Sequence, residues 1–191
     1  FGLQIQVNNA NDIPVASDVS VTTPEETAVT IVLNASDVDG DPLTYTEVAQ
    51  PSNGTLGSIN GNEVTYTPNE DFFGADTFTY QVSDGNNATS NTATVFITVT
   101  NVNDAPVAQK VSVSTNEENS VSITLEASDE DGDALIYTIV ENPSQGSLGT
   151  VNDNRVTYTP ANNFTGSDFF TYKANDGATD SNVDNVFVTV N

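Results

Sequence analysis

Two acidic pentapeptides stand out for the chemistry they could do: Asp37-Val38-Asp39-Gly40-Asp41 and Asp129-Glu130-Asp131-Gly132-Asp133. Alternate carboxylates around a glycine offer several hard oxygens within one tight turn, the kind of donor set that a divalent cation takes. The opening spacing is that of an EF-hand loop. An EF-hand then needs Gly at its sixth position and Glu at its twelfth. Here those positions hold Pro42 and Val48, and in the second copy Ala134 and Val140. The EF-hand is excluded, and the glycine-rich nonapeptide of calcium β-rolls is absent as well. Taken alone, such a pentapeptide is equally an Asx-rich turn between strands.

The composition narrows the chemistry further. The 191 residues carry 27 Asp plus Glu against 3 Lys plus Arg, a formal charge of −24. Such a surface repels nucleic acid and anionic membranes and attracts cations. With no His and no Cys, a metal site has only oxygen donors, and imidazole and thiol chemistry are unavailable. A glycosidase pair of carboxylates needs a cleft and one raised pKa, and nothing in the sequence singles out such a pair, so no enzyme is expected. No apolar run approaches the ~20 residues that span a bilayer, so direct membrane insertion is not expected. Regular alternation at 36% hydrophobic content argues for folded strands rather than disorder. Phe1 is not an initiator Met and the chain opens on an alternating segment, which suggests a piece of something longer.

The elements that must position the acids repeat. Glu25-Glu26 returns as Glu117-Glu118, Val64-Thr65-Tyr66-Thr67-Pro68 returns unchanged at Val156 to Pro160, and Asp84-Gly85 returns as Asp176-Gly177. Each offset is 92, falling to 91 after that glycine, so one loop of the second copy is a residue shorter. The junction Asn101-Val102-Asn103-Asp104-Ala105-Pro106 matches Asn9-Ala10-Asn11-Asp12-Ile13-Pro14. The expected organisation is a strand remnant or leader at 1–8, a junction at 9–14, a first repeat at 15–100, a junction at 101–106 and a second repeat at 107–191. Within each repeat, about seven alternating segments are separated by Asp-Gly, Asn-Gly and Ser-Asn-Gly turns. The expected fold is all-β, two tandem seven-stranded Greek-key β-sandwiches of immunoglobulin-like shape. Tyr45, Tyr66, Phe78 and Tyr80 are the expected core aromatics. Lys110 and Lys173 align with Asp18 and Gln81, so an isopeptide device built on them is not part of the repeat.

Strand geometry distributes the acids to two poles. Asp76 and Asp84 lie eight residues apart on one strand, hence ~26 Å. Asp84 is expected at the leading pole, where the chain enters, beside Asn11, Ile13, Asp37 and Asp39. Asp76 is expected at the trailing pole beside Glu25 and Glu26. Around the middle junction the expected set is Glu25, Asp76, Asn101, Asn103, Asp104, Asp129, Asp131 and Asp176. Acids so gathered repel by several kcal/mol at low effective dielectric unless a cation is bound. Six to eight hard oxygens suit Ca²⁺ better than Mg²⁺. One ion is expected at the leading pole, two or three at the middle junction, and none held tightly on Glu117, Glu118 and Asp168.

In their order, these residues resemble the cadherin repeat, and more closely the cadherin-like tandem repeats of large bacterial cell-surface proteins and adhesins. The shared phrases are A-S-D-x-D-G-D-x-L-x-Y, Y-T-P, G-x-D-x-F-T-Y and N-D-A-P, and they cover nearly the whole chain. The resemblance implies ligand roles for Glu25 and Glu117, for Asp37/Asp39 and Asp129/Asp131, for Asp84 and Asp176, and for Asn11-Asp12 and Asn103-Asp104. Two departures stand out. Asn9 and Asn101 replace the first linker Asp of the animal proteins, and the acidic motif before the long strand has no clean match, with Asp76 preferred over Asp71. The resemblance implies a calcium-rigidified spacer in a bacterial cell-surface adhesin or matrix protein, whose partners are adjacent repeats of its own chain. The alternative is a calcium-dependent binding module for polysaccharide or for like modules on neighbouring cells, with Phe72, Phe73 and Phe96 as candidate platform residues.

Overall fold

The computed structural model describes residues 10–191. Residues 1–8 and Asn9, read above as a strand remnant and the first junction residue, lie outside the described residues. The chain divides into two compact units, Phe1–Val102 and Asn103–Asn191. The described residues form strands and turns with no helix.

The first unit contains β1 (Val15–Ser17), β2 (Val19–Pro24), β3 (Val29–Val32), β4 (Asn34–Ser36), β5 (Thr44–Ala49), β6 (Gly54–Leu56), β7 (Glu63–Pro68), β8 (Gly74–Ser83) and β9 (Ala93–Thr100). A four-stranded sheet of order β2-β9-β8-β5 faces a three-stranded sheet of order β3-β7-β6, and β1 pairs with β4. The second unit repeats this with β10 (Val107–Gln109), β11 (Val111–Thr115), β12 (Val121–Thr124), β13 (Glu126–Ser128), β14 (Ile136–Glu141), β15 (Gly146–Leu148), β16 (Arg155–Pro160), β17 (Gly166–Asn175) and β18 (Asp184–Val190). Its sheets run β11-β18-β17-β14, β12-β16-β15 and β10-β13.

Seven alternating segments thus become nine strands, because two of them are interrupted. The first breaks at Asp18 and the second at Leu33, where the buried aromatic Tyr80 projects its hydroxyl between them. That hydroxyl lies 2.6 Å from the Ser17 carbonyl and 2.7 Å from the Asn34 carbonyl, and accepts from the Asn34 N–H at 3.0 Å. Tyr172 does the same between Gln109 and Glu126. Beyond the break, β2 joins the four-stranded sheet parallel to β9 over Val19–Pro24, and β11 joins β18 likewise. The sheet is therefore mixed, parallel where β2 meets β9 and antiparallel between β9, β8 and β5.

Period-two alternation builds the core as expected. Ile31, Leu33, Val64, Tyr66, Phe78, Tyr80, Val95 and Ile97 are buried in the first unit. Tyr45 packs against that cluster and stacks on Tyr80 at 6.2 Å. Gly54 has no side chain because the Tyr66 ring fills the place: a Cβ there would sit 2.4 Å from the ring, and at Gly146 a Cβ would sit 2.5 Å from Tyr158.

Candidate metal centre

The acidic pentapeptide connects β4 to β5 and folds on its own first carboxylate. Asp37 Oδ1 accepts from the N–H of Asp39 at 2.9 Å and of Asp41 at 3.3 Å. In the second unit Asp129 Oδ1 accepts from Asp133 N–H at 3.0 Å, and its carbonyl from Gly132 N–H. Gly40 and Gly132 make the reversal possible with φ of 77° and 76°, in the left-handed region that a Cβ disfavours. The Asx-turn reading is therefore right for one oxygen of each aspartate. The other is different: Asp37 Oδ2 and Asp129 Oδ2 are buried and meet no hydrogen-bond donor among the described residues. Asp37, Asp39 and Asp41 each bring a carboxylate oxygen within 4.8 Å of the others, and so do Asp129, Asp131 and Asp133. Asp41 and Asp133 were left out of the ligand set read from the sequence. Their place in the third slot of the same turn was the signal for them.

The junction peptide lies against this turn in the same way in both units. Asp12 N–H donates to Asp39 Oδ2 and Asp104 N–H to Asp131 Oδ2, each at 2.7 Å. The Asn11 amide donates to Asp84 Oδ2 at 2.7 Å, and the Asn103 amide to Asp176 Oδ2 at 2.9 Å. In the second unit Asp104 and Asp131 also bring carboxylate oxygens within 4.8 Å of each other. Asn11, Asp39, Asp41 and Asn86 line an open depression at the leading pole.

Asp84 and Asp176 sit at that pole but stand outside the carboxylate triads. Asp84 Oδ1 accepts from the N–H groups of Asn86 and Ala88, and Asp176 Oδ1 from those of Ala178 and Thr179. Their other oxygens hold the junction amides. These bonds favour the ionised form. The Asn11 amide, followed by its loop N–H groups, holds Asp84 below the usual carboxylate range, and for Asp176 the Thr179 N–H leads, followed by the Asn103 amide. Both residues thus hold the junction asparagine at the leading pole.

At the trailing end of the first unit, Glu25 is buried, donates its N–H to the Thr100 carbonyl, and accepts the Val102 N–H on Oε1. Exposed Asn101 lies in the same segment. Glu26 and Asp71 bring carboxylate oxygens within 4.8 Å of each other, with both residues in the left-handed region at φ 56° and 55°.

Asp76, expected beside Glu25 and Glu26, is buried inside β8. Oδ1 accepts from Ser52 N–H at 3.0 Å and Thr77 N–H at 2.8 Å, and Oδ2 from Asn53 N–H and the Tyr66 hydroxyl, both at 2.9 Å. Asp168 repeats the set with Ser144, Phe169, Gln145 and Tyr158. Four donors saturate the carboxylate, so it anchors the loop between β5 and β6. Burial, and then the hydrogen bond to this aspartate, push the Tyr66 and Tyr158 hydroxyls well above the usual phenol range.

Comparison with known proteins places this architecture. Chitinase A of Pseudoalteromonas piscicida is 33% identical over 132 residues, which is 69% of this chain and 16% of that protein. Integrin beta-like protein B of Dictyostelium discoideum is 32% identical over 123 residues, 59% of this chain and 6% of that protein. The chain thus spans less than a fifth of either relative. Human protocadherin-24 EC1-2 superposes with a TM-score of 0.61 at 19% identity, covering 95% of this chain and 99% of that one, so the cadherin-like fold read from the sequence is the observed one. The family described as Bacterial Ig domain matches residues 11–98 and again 103–189. The chain belongs to the bacterial Ig domain family and carries two tandem copies of it.

Proposed function

We propose that this chain is a pair of calcium-binding modules that serve as a spacer in an extracellular adhesin or matrix protein of the bacterial surface, stiffened when calcium is bound. The observation that carries the reading is the orphaned oxygen, Asp37 Oδ2 in one unit and Asp129 Oδ2 in the other. Removing a carboxylate oxygen from water without a partner costs several kcal/mol. The same cost at the same place in both copies makes sense if a cation is the missing partner.

The residues present fit a hard ion. Asp37, Asp39 and Asp41 would hold it in the first unit, with the Asn11 amide oxygen, and Asp129, Asp131 and Asp133 in the second, with Asn103 and Asp104. Asp84 and Asp176 would keep the junction asparagines in reach. Glu25 and Asn101 belong to the same proposal through the junction at 101–106, which we assign as the connection that calcium stiffens. Bound calcium would supply two positive charges and 6–8 coordination positions. Sites of extracellular modules bind at about 10⁻⁴–10⁻³ M, and a tenfold excess over Kd stabilises by roughly 1.4 kcal/mol per site. Small-angle scattering with calcium and with chelator tests the reading. A maximum dimension and flexibility unchanged by chelation would overturn the stiffening.

One observation favours the polysaccharide alternative. Phe169 and Phe187 are cross-strand partners on the outer face of β17 and β18, 48% and 43% exposed, and Lys110 lies 5.6 Å over the Phe187 ring. Phe96 is exposed too but pairs with Thr77, and Phe72 packs on the core. Affinity electrophoresis in neutral polysaccharide gels, with Phe187→Ala beside the parent, tests this reading; equal mobilities in every gel would remove it.

A further inference from the structure

The two leading poles carry the same three-aspartate turn but differ in one hydrogen-bond donor. In the first unit the loop between β8 and β9 reaches over the depression, and the Asn86 amide donates to Asp41 Oδ2 at 2.7 Å and to Asn11 Oδ1 at 3.0 Å. It bridges the acidic turn and the junction peptide. In the second unit the corresponding loop is one residue shorter and Ala178 follows Gly177. Ala178 has only its backbone N–H to offer, and this goes to Asp176.

We propose that Asn86 is a resident stand-in for a cation, one that lowers the calcium affinity of the first unit's leading pole and has no equivalent in the second. The inference rests on the calcium reading above. An amide N–H placed on Asp41 neutralises part of its charge and occupies a lone pair that a cation would use. It also takes the Asn11 oxygen, the neutral donor of the same pole. Binding an ion there requires both hydrogen bonds to break, and a hydrogen bond to a charged group is worth enough to change an equilibrium by about tenfold. The second unit binds without that competition. The length and side chain of one loop therefore add to whatever difference in affinity the two ligand sets carry.

The test uses the full chain and calcium chloride as the only added ligand. The Gly40 and Gly132 backbone amides each lie inside one acidic turn, so their NMR shifts report the two poles separately during one titration. Asn86→Ala keeps the backbone N–H that donates to Asp84, so the loop retains its anchor. The expected result is a Gly40 midpoint that falls about tenfold in the variant, with the Gly132 midpoint unchanged. A Gly40 midpoint that rises would show Asn86 to be a ligand through its oxygen, and one that stays put would show it to be a bystander; either overturns the inference and leaves the calcium reading intact. If neither glycine responds to calcium in the parent chain, the calcium reading itself falls, and this inference with it.

Discussion

The N–H of Asp104 donates to Asp131 Oδ2 at 2.7 Å, and ninety-two residues earlier Asp12 donates to Asp39 Oδ2 at the same distance. One oxygen of the central aspartate thus holds the junction backbone, while the carboxylate still reaches its neighbours in the turn. Asp131→Ala removes both functions. Calcium affinity should fall by roughly tenfold or more, about 1.4 kcal/mol per factor of ten, while Asp153→Ala in the β15–β16 turn should leave it unchanged. Calorimetric titration of both variants checks this, and equal losses would mean that general acidity is responsible.

Asp76 should behave in the opposite manner. Asp76→Asn keeps the shape but turns an NH₂ towards donors, so one or two of the four hydrogen bonds are lost and a buried donor goes unpaired. A loss of about 2–4 kcal/mol in urea unfolding is expected, with the Gly132 calcium titration unaltered. A weakened titration with unaltered stability would show Asp76 to be a ligand.

Gly54 tests packing. Adding the one methyl of Gly54→Ala drives a Cβ to 2.4 Å from the Tyr66 ring, and that ring is fixed by its hydrogen bond to Asp76. Overpacking of this kind costs about 1–3 kcal/mol. Gly57→Ala, where the nearest atoms lie at 3.7 Å, should cost clearly less in the same denaturant series.

Much of this was legible in the sequence, and the exceptions have physical causes. The two copies, their core alternation and the acidic turn follow from spacing. The break at Leu33 does not, because it depends on where the Tyr80 hydroxyl lands, and Tyr80 is 46 residues beyond the Asn34 that it bonds. Asp76 was readable in retrospect. It shares its phase in β8 with Phe78, Tyr80 and Val82, all buried, so alternation alone puts it inside. Asp71, which lies near Glu26 in the first unit, has Asn163 as its counterpart, so the repeat does not mark it.

The pH response follows from Asp84 and Asp176. Both are held below the ordinary value of 3.8, Asp84 chiefly by the Asn11 amide and Asp176 chiefly by the Thr179 N–H. A depressed folded-state pKa contributes stability that is present above the unfolded value and lost as pH falls through the folded one. In metal-free buffer the junction should therefore stay docked at pH 5 and detach only below about pH 4. The Asn11 and Asn103 side-chain amide signals report it, and midpoints above 3.8 would contradict the hydrogen bonds described.

The parallel pairing of β2 with β9 has a mechanical meaning. β2 follows the short β1 near the start of the first sandwich and β9 is its last strand; the two are joined over six residues from Val19 to Pro24, and β11 with β18 repeats the arrangement over five from Val111 to Thr115. Tension applied through the chain pulls the members of such a pair in opposite directions along their length. The ladder bonds are then loaded together in shear, and none can open before its neighbours as in a zipper. Once the short leading strand has yielded, a module built this way resists stretching through a ladder that ties the beginning of its chain to the end.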